Sequence, residues 1–216
     1  NSLVVNGIPG IGTQSFIVEN FVDVIGTTQS DNISGNSDDN FIDGNDGDDF
    51  IFGDDGDDFI LGFNGNDTLD GWNGNDFIAG EAGDDLLLGY FGDDILDGGS
   101  GTDSLLGEDG NDALFGYGFT TEEYDVLTGG TGADAFYLGD SFGAYYLDLG
   151  YATITDFSSV EGDLIVLADT ASAYSLGTQD ISGTSSLDTL VYYNNDLIGV
   201  LEDTTSVNTS TDFVYV

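Results

Sequence analysis

The 216-residue sequence contains no lysine, arginine, histidine, cysteine or methionine, and it has a single proline, Pro9. Because no side chain carries a positive charge, the chain lacks the basic surface that binds nucleic acid or anionic lipid, and we predict no nucleic-acid partner. The missing histidine and cysteine exclude a Ser-His-Asp triad, a thiol nucleophile, a disulfide and the usual zinc site. With no methionine, we expect residue 1 to follow a processing site.

Negative charge is abundant instead, because 42 acidic residues give the chain a formal charge of -42. Hydrophobic residues still make up 39% of the sequence, including 15 Phe and 11 Tyr, unlike a disordered acidic tail. The chain can therefore bury a core, provided that cations neutralise the acid. No apolar run reaches the roughly 18 residues of a spanning helix, so no membrane insertion is predicted.

Glycine recurs at every ninth residue through the middle of the chain, which indicates a repeat. Ten contiguous nonapeptides fill residues 26–115, for example GNDGDDFIF (44–52) and GWNGNDFIA (71–79). Their sixth position is Asp, or Asn at residue 40, and their eighth position is always Ile or Leu. A thirteen-residue irregular unit (116–128) and one further nonapeptide (129–137) follow.

This spacing predicts short strands joined by turns. Six residues rich in Gly and Asp form each turn, and three residues such as Phe50-Ile51-Phe52 form each strand. Two units make one flattened coil of eighteen residues, and successive coils stack at roughly 4.8 Å. Position eight then fills the interior, while the position-six carboxylates of stacked turns face each other. Like charges at that distance repel strongly unless a cation lies between them.

The repeat resembles the RTX, or haemolysin-type, calcium-binding motif G-G-x-G-x-D-x-U-x over about half of the chain. We therefore predict an all-β protein, a parallel β-roll (right-handed β-solenoid, 18 residues per coil), with calcium as its cofactor. The resemblance also implies a bacterial protein with a C-terminal region like that of type I secretion substrates. The alternative, an acidic repeat that is merely solvated, predicts scattered Asp and no aliphatic ladder.

The resemblance implies that each calcium ion lies between two turns of one column, and that each turn supplies its Asp and two carbonyl oxygens. About eight to ten ions are expected. Gln29, Asp38 and Asn40 depart from the motif at the start of the columns. The predicted metal ligands are Asp31, Asp49, Asp58, Asp67, Asp76, Asp85, Asp94, Asp103, Asp112, Asp125, Asp134 and Asn40.

A solenoid exposes strand edges at both ends and needs caps there. We predict three regions: an apolar, strand-rich segment (1–25) that is a cap or an intersubunit strand, the calcium-binding roll (26–137) and a β-rich C-terminal cap (138–216). The run ITDFSSVEGDLIVL (154–167) resembles the segment that follows the last repeat in RTX proteins, with Asp156 and Asp163 at its acidic positions. The ending DFVYV (212–216) resembles a type I secretion signal, and an ordinary last strand is the alternative.

Position seven is predicted to point outward, and on alternate units it forms a continuous apolar stripe. The stripe consists of Phe41, Phe59, Phe77, Ile95 and Ala113, whereas the opposite face is broken by polar residues at Asn32, Thr68 and Ser104. A contiguous outward apolar stripe usually marks a contact. It is covered either by another part of the same chain or by a second subunit.

We predict that the protein is not an enzyme, because its carboxylates form a regular ladder and no nucleophile motif is present. The first hypothesis is a secreted structural protein, extracellular or at the cell surface, that polymerises head to tail into a filament, sheath or surface layer. A polysaccharide of the cell surface or matrix is a further candidate partner. The second hypothesis is a calcium-dependent folding and secretion module of a larger adhesin or exoenzyme exported by type I secretion.

Overall fold

The computed structural model describes residues 2–4, 14–17, 23–118, 122–141, 143–147, 150–168, 170–184 and 186–216. These residues form two long sheets, a two-stranded hairpin and one short 3-10 helix (Ala171–Ala173). The rest of the N-terminal segment (1, 5–13 and 18–22), on which part of its predicted role falls, lies outside the described residues. Among the described residues no helix is long and apolar enough to cross a membrane.

Two sheets face each other along the chain, and successive coils add one strand to each. The ten strands of the first sheet, in spatial order, are β1 (Ser2–Val4), β3 (Asp23–Ile25), β5 (Phe41–Asp43), β7 (Phe59–Asn64), β9 (Phe77–Ala82), β11 (Ile95–Ser100), β13 (Ala113–Phe115), β15 (Ala135–Tyr137), β19 (Leu164–Leu167) and β23 (Phe213–Tyr215). The eleven strands of the second are β2 (Gln14–Ile17), β4 (Asp31–Ser34), β6 (Phe50–Asp55), β8 (Thr68–Asn73), β10 (Leu86–Phe91), β12 (Ser104–Asp109), β14 (Val126–Thr131), β18 (Ala152–Ile154), β22 (Asp196–Leu201), β21 (Asp188–Tyr193) and β20 (Tyr174–Gln179). The hairpin joins β16 (Gly139–Asp140) to β17 (Gly143–Ala144).

The predicted parallel β-roll of eighteen residues per coil is confirmed. Up to β11, each strand of the repeats pairs in parallel with the strand eighteen residues later, as Phe59 does with Phe77 and Leu69 with Leu87, and the irregular unit lengthens this spacing to 22 residues for β12 and β13. The position-eight side chains form one interior ladder, because every second residue of a strand points to the same side. From Ile42 to Leu114 all nine are 0% exposed, and the ladder continues through Leu127 and Phe136.

The strands of the central coils are longer than the three residues that the spacing predicted. β8, for example, continues through the first three positions of the next unit and ends at Asn73. It bends at position two, where Trp72 has a φ of +78°, and Phe63 and Tyr90 have φ values of +77° and +74°. A bulky residue with positive φ is strained. Backbone hydrogen bonds from the adjacent coils hold these residues in place.

Both sheets extend beyond the repeats at each end. At the N-terminus β1 pairs with β3 and β2 pairs with β4, both in parallel. After the last repeat, β18 and β19 add a further strand to each sheet. The second sheet then finishes as an antiparallel meander, in which β21 and β22 are joined by a turn at Asn194 and Asn195, both with positive φ. The C-terminal strand β23 pairs in parallel with β19.

Replacing Ile78 with Ala should reduce the free energy of unfolding by about 2–5 kcal/mol, because the substitution leaves a cavity inside the aliphatic ladder. The matched control is Ile95→Ala in the next coil, since Ile95 lies at outward position seven and is 43% exposed. Denaturant unfolding in saturating calcium measures both variants, and we expect the control to lose less than about 1 kcal/mol. Equal losses would contradict the inward orientation of position eight.

Candidate metal centre

The position-six side chains form two buried columns, one at the edge of each sheet. Each of these residues lies just before a strand or at its first residue, where the repeated turn ends. The N–H of Asp49 donates to Oδ1 of Asp67 at 2.7 Å, and the N–H of Asp58 donates to Oδ1 of Asp76 at 2.8 Å. The same bond recurs from coil to coil, so each carboxylate is fixed by the backbone of the coil before it.

The second carboxylate oxygen of most of these residues is buried without a hydrogen-bond partner. Buried polar atoms are almost always paired, and an unpaired buried carboxylate oxygen is costly. A run of such atoms in register therefore indicates a binding site for cations. Among the described residues they are Oδ2 of Asp49, Asp58, Asp67, Asp76, Asp85, Asp94, Asp103, Asp112 and Asp134.

Glycine at position one leaves a space beside each of these oxygens. A Cβ atom at Gly53 would collide with Oδ2 of Asp58 and would lie 2.8 Å from the carbonyl oxygen of Gly71 in the next coil. Gly80 repeats the arrangement, with Oδ2 of Asp85 and with the carbonyl oxygen of Gly98 at 2.7 Å. A carboxylate of one coil and a carbonyl of the next therefore converge on one point. We call this point the cradle of a repeat.

Burial raises the pKa of every one of these carboxyl groups. The pKa rises to about 8 at Asp49 and Asp103 and to about 7 at Asp58, and removal from water is the largest cause. Hydrogen bonds from the backbone of the preceding coil lower these pKa values, and neighbouring carboxylates raise them further. The remaining values are about 7 at Asp85, Asp94 and Asp112 and about 6 at Asp67, Asp76 and Asp134.

Calcium fits this donor set. It takes six to eight oxygen ligands at about 2.3–2.6 Å, and it accepts backbone carbonyls together with carboxylates. No group of three acidic side chains that could hold a metal ion is found within the described residues. An ion in the columns would therefore be held largely by carbonyl oxygens, with the carboxylates supplying the charge. A bound dication would also remove the repulsion between stacked carboxylates.

Four positions in the columns differ from these nine, because a hydrogen-bond donor of the chain contacts the side-chain oxygen that would otherwise be available to an ion. Oδ2 of Asp31 accepts the N–H of Thr27 at 2.6 Å, and Oδ1 of Asn40 accepts the N–H of Asn36 at 2.9 Å. Oδ2 of Asp163 accepts the N–H of Ser158 at 2.7 Å. Oδ2 of Asp125 accepts the hydroxyl group of Tyr146 at 2.7 Å. Asp125 belongs to the predicted ligand set, and its role as a ligand stays a prediction.

The structure adds residues that the repeat pattern did not identify as part of the columns. Asp163 continues the column that contains Asp58 and Asp134, because its Oδ1 accepts the N–H of Asp134 at 3.1 Å. Asp212, 5% exposed, precedes β23 in the same way. Glu123 is 2% exposed in the irregular unit, next to the column that holds Asp103 and Asp125. The spacing hides them, because insertions separate them from the regular nonapeptides.

Much of the remaining acid lies on the exposed turns at position five, where Asp and Asn alternate. Oδ1 of Asp57 accepts the N–H of Asn75 at 2.8 Å, and Oδ1 of Asn75 accepts that of Asp93 at 2.8 Å. Asp93 in turn accepts the N–H of Asn111 at 2.9 Å. From Asp57 to Asn111 a neutral amide therefore separates successive carboxylates on this outer row, and like charges stack directly only at its start, where Oδ1 of Asp39 accepts the N–H of Asp57 at 3.0 Å.

Comparisons with solved structures give low similarity. The chain is 18% identical to the AlgE6R3 subunit of the Azotobacter vinelandii mannuronan C5-epimerase, with a TM-score of 0.29; the match covers 96% of this chain and 82% of that one. It is 15% identical to the extracellular lipase LipA of Serratia marcescens, with a TM-score of 0.23. That match covers 89% of this chain and only 39% of the lipase. A search of curated proteins found no match.

The comparison with protein families, unlike the comparisons with solved structures, identifies the family of the chain. The model of the RTX calcium-binding nonapeptide repeat (4 copies) matches residues 25–60, 52–87, 61–96, 88–121 and 117–141. Together the matches span more than half of the chain and coincide with the coils that carry the cradles. The chain belongs to the family of proteins with RTX calcium-binding nonapeptide repeats.

Proposed function

We propose that this chain is a calcium-stabilised structural subunit that works outside the cell and joins head to tail into a filament, sheath or surface layer. The observation that carries the proposal is the run of nine buried carboxylate oxygens without partners. A roll built around them is stable only when cations fill the cradles. Extracellular calcium-binding modules work at about 10⁻⁴–10⁻³ M, a concentration that cells maintain outside rather than inside.

Open sheet ends support head-to-tail assembly. The first sheet ends in β1 and β23, and the second ends in β2 and β20. A terminal strand presents backbone groups that can pair with another chain, and strand addition is a common mode of association. Strands β23 and β20 of one subunit would meet β1 and β2 of the next. Such a heterologous contact does not close on itself, so it generates a filament.

The apolar stripe supports a contact along the side of the roll. The rings of Phe41 and Phe59 stack at a centroid distance of 5.4 Å, and those of Phe59 and Phe77 stack at 4.7 Å. Phe41 is 37% exposed and Phe59 is 39% exposed, so the described residues leave part of the apolar stripe uncovered. Ile95 continues the stripe in the next coil. We infer that a second subunit packs on it.

Calcium also makes such an assembly electrostatically feasible. The formal charge of -42 would keep neighbouring subunits apart. Ions in the columns carry two positive charges each, so about nine of them offset less than half of the acid. Further calcium on the exposed carboxylates would screen the remainder. We propose no catalytic role, because the buried carboxylates of the two columns are each held in place by the backbone of the preceding coil.

A second candidate function is a calcium-dependent folding and secretion module within a larger exported adhesin or exoenzyme. It is favoured by the ending Asp212–Val216, an acidic residue followed by apolar ones, which resembles the end of type I secretion substrates. In this case the roll would fold on reaching external calcium and would help to retain the exported chain outside. Such a module has no need to polymerise.

Electron microscopy of the purified chain in millimolar calcium distinguishes the two functions. We expect filaments with calcium and none in EGTA. Removing residues 1–20, which contain β1 and β2, should abolish end-to-end joining while leaving calcium-dependent folding intact. Phe59→Thr should weaken the lateral contact, and Phe50→Thr is its matched control, because Phe50 is 47% exposed on the opposite face between Asn32 and Thr68. A monodisperse monomer from the full chain in calcium would contradict the filament and favour the module.

A further inference from the structure

We propose that the hydroxyl group of Tyr146 closes one of the two calcium columns, by occupying the place beside Asp125 that calcium takes beside the other position-six carboxylates. The inference rests on the proposed binding of calcium in the cradles. It makes Tyr146 a residue that limits the number of ions, and it assigns Asp125 a different role from the other aspartates of its column.

The hydrogen bond of Tyr146 is the first observation. Its side chain is 1% exposed, and its hydroxyl group donates to Oδ2 of Asp125 at 2.7 Å. The equivalent oxygen of Asp103, one coil earlier in the same column, is buried without a partner. A neutral O–H donor satisfies one carboxylate oxygen without bringing a second charge into the column. Asp125 therefore has a partner before any calcium binds.

The cradle beside Asp125 is the second observation. At Gly107, in the other column, a Cβ atom would meet Oδ2 of Asp112 and, at 2.6 Å, the carbonyl oxygen of Gly129 in the next coil. At Gly116 it would meet the hydroxyl oxygen of Tyr146 and, at 2.6 Å, Oδ2 of Asp125. The tyrosine oxygen thus takes the place of the carbonyl of the following coil. Because its proton points at the carboxylate, the space between them is a hydrogen bond and not a cation site.

The local sequence explains why the column ends here. The coil after Asp125 lacks the regular spacing, since Val126 pairs with Thr153, twenty-seven positions later. The additional residues of this coil include the segment 143–147, which places the hydroxyl group of Tyr146 beside Gly116. The ring of Tyr117 lies 5.3 Å from those of both Tyr145 and Tyr146 and holds the segment against the end of the roll.

The other column ends in a related way. Asp163 follows Asp134, and its Oδ2 accepts the N–H of Ser158 at 2.7 Å. At the start of the columns, Asp31 and Asn40 accept N–H groups of their own turns. The nine oxygens without partners lie between these donor-bound ends, four in the column of Asp49 and five in that of Asp58. Hydrogen-bond donors of the chain therefore occupy one oxygen at each end of both columns, and only at Asp31 is the other oxygen, Oδ1, buried without a partner.

One neighbouring group offers calcium an alternative to this arrangement. Glu123 is 2% exposed and lies near Asp125, and its Oε2 accepts the N–H of Gly118 at 3.3 Å. If calcium displaced the hydroxyl group of Tyr146, Glu123 and Asp125 would both be available as ligands. The count of bound ions distinguishes this alternative from the proposal.

The test compares two single substitutions in the full chain by calcium titration calorimetry, with equilibrium dialysis to count the ions. Asp125→Asn retains an oxygen that accepts a hydrogen bond, so it should bind as many calcium ions per chain as the unaltered protein. Asp103→Asn, its matched control one coil earlier, should bind one ion fewer. Loss of an ion from Asp125→Asn as well would overturn the role of Tyr146. If Asp103→Asn lost none, the calcium column itself, and with it the proposed function, would be wrong.

Tyr146→Ala asks the same question without altering a carboxylate. Removing the ring and its hydroxyl group opens the cradle at Gly116 beside Asp125 and Glu123, so this variant should bind one calcium ion more than the unaltered chain. Tyr137→Ala is the control, because Tyr137 stacks on Phe115 at 3.9 Å and should not change the count. An unchanged count in Tyr146→Ala would overturn the proposal.

Discussion

Removing calcium from the folded protein with EGTA should abolish its β-sheet circular dichroism spectrum. Without cations, nine buried Oδ2 atoms of the position-six columns have no hydrogen-bond partner among the described residues, and the chain carries a formal charge of -42. Burial of ionised groups without partners costs far more than the interior aliphatic ladder can offset. Because a preformed site does not exist in the unfolded chain, the free energy of calcium binding becomes free energy of folding. The metal-free chain should therefore be expanded at neutral pH.

The transition should be cooperative and selective for calcium. Each carboxylate is held by the backbone of the coil before it, so loss of one ion loosens the coils on both sides. Magnesium is the control, because it requires near-ideal octahedral coordination and retains most of its bound water. Cradles made largely of carbonyl oxygens do not suit an ion of this kind. Magnesium at the same concentration should leave the spectrum of the unfolded chain. A β-sheet spectrum that persists in EGTA at neutral pH would contradict the prediction.

Acidification should partly replace calcium. In the fold, burial raises the pKa of the column carboxyls to between about 6, as at Asp76, and about 8, as at Asp49. In the unfolded chain the pKa of Asp is about 3.9. A group whose pKa is raised by folding binds protons more tightly in the fold, so protonation stabilises the fold at low pH. This stability is lost as pH rises through the folded values.

In EGTA, the chain should therefore gain β-sheet signal as pH falls from 8 to 4, and with calcium present its affinity for the ion should fall over the same range. Circular dichroism across this range measures the first effect and calorimetry measures the second. Sodium chloride at pH 8 is the control, because salt screens exposed charges but does not protonate buried ones. The prediction is wrong if high salt restores the spectrum at pH 8, or if no signal appears near pH 4.

The sequence predicted the parts of the fold that depend on the nine-residue spacing. Position eight had to be interior because its side chain is always aliphatic, and Ile42 and Leu114 are indeed 0% exposed. The facing of position-six carboxylates followed from the same spacing. The strained position two did not follow, since nothing in the spacing shows that Trp72 and Tyr90 adopt a φ that favours glycine. Contacts between coils impose that conformation.

The sequence identified Asp125 and Asp134 as candidate ligands, but it did not reveal where the two columns end. Partners there are separated by 22 residues between Asp103 and Asp125 and by 29 between Asp134 and Asp163. A repeat of constant length does not show which residues will lie beside each other on either side of such insertions. The hydrogen bond of Tyr146 had no sequence signal at all, because a tyrosine becomes part of a column only through the path of the segment that carries it.

The register of the two sheets also determines how such a chain can change in length. Each coil contributes one strand to each sheet, and partners such as Phe41 and Phe59 are eighteen residues apart. Duplication or loss of eighteen residues within the repeats would therefore leave all the remaining residues beside equivalent neighbours. Gain or loss of a single nonapeptide would instead move all later residues to the opposite sheet, so that the phenylalanine stripe would break at that point. A lineage of such proteins can thus lengthen or shorten its roll only in whole coils.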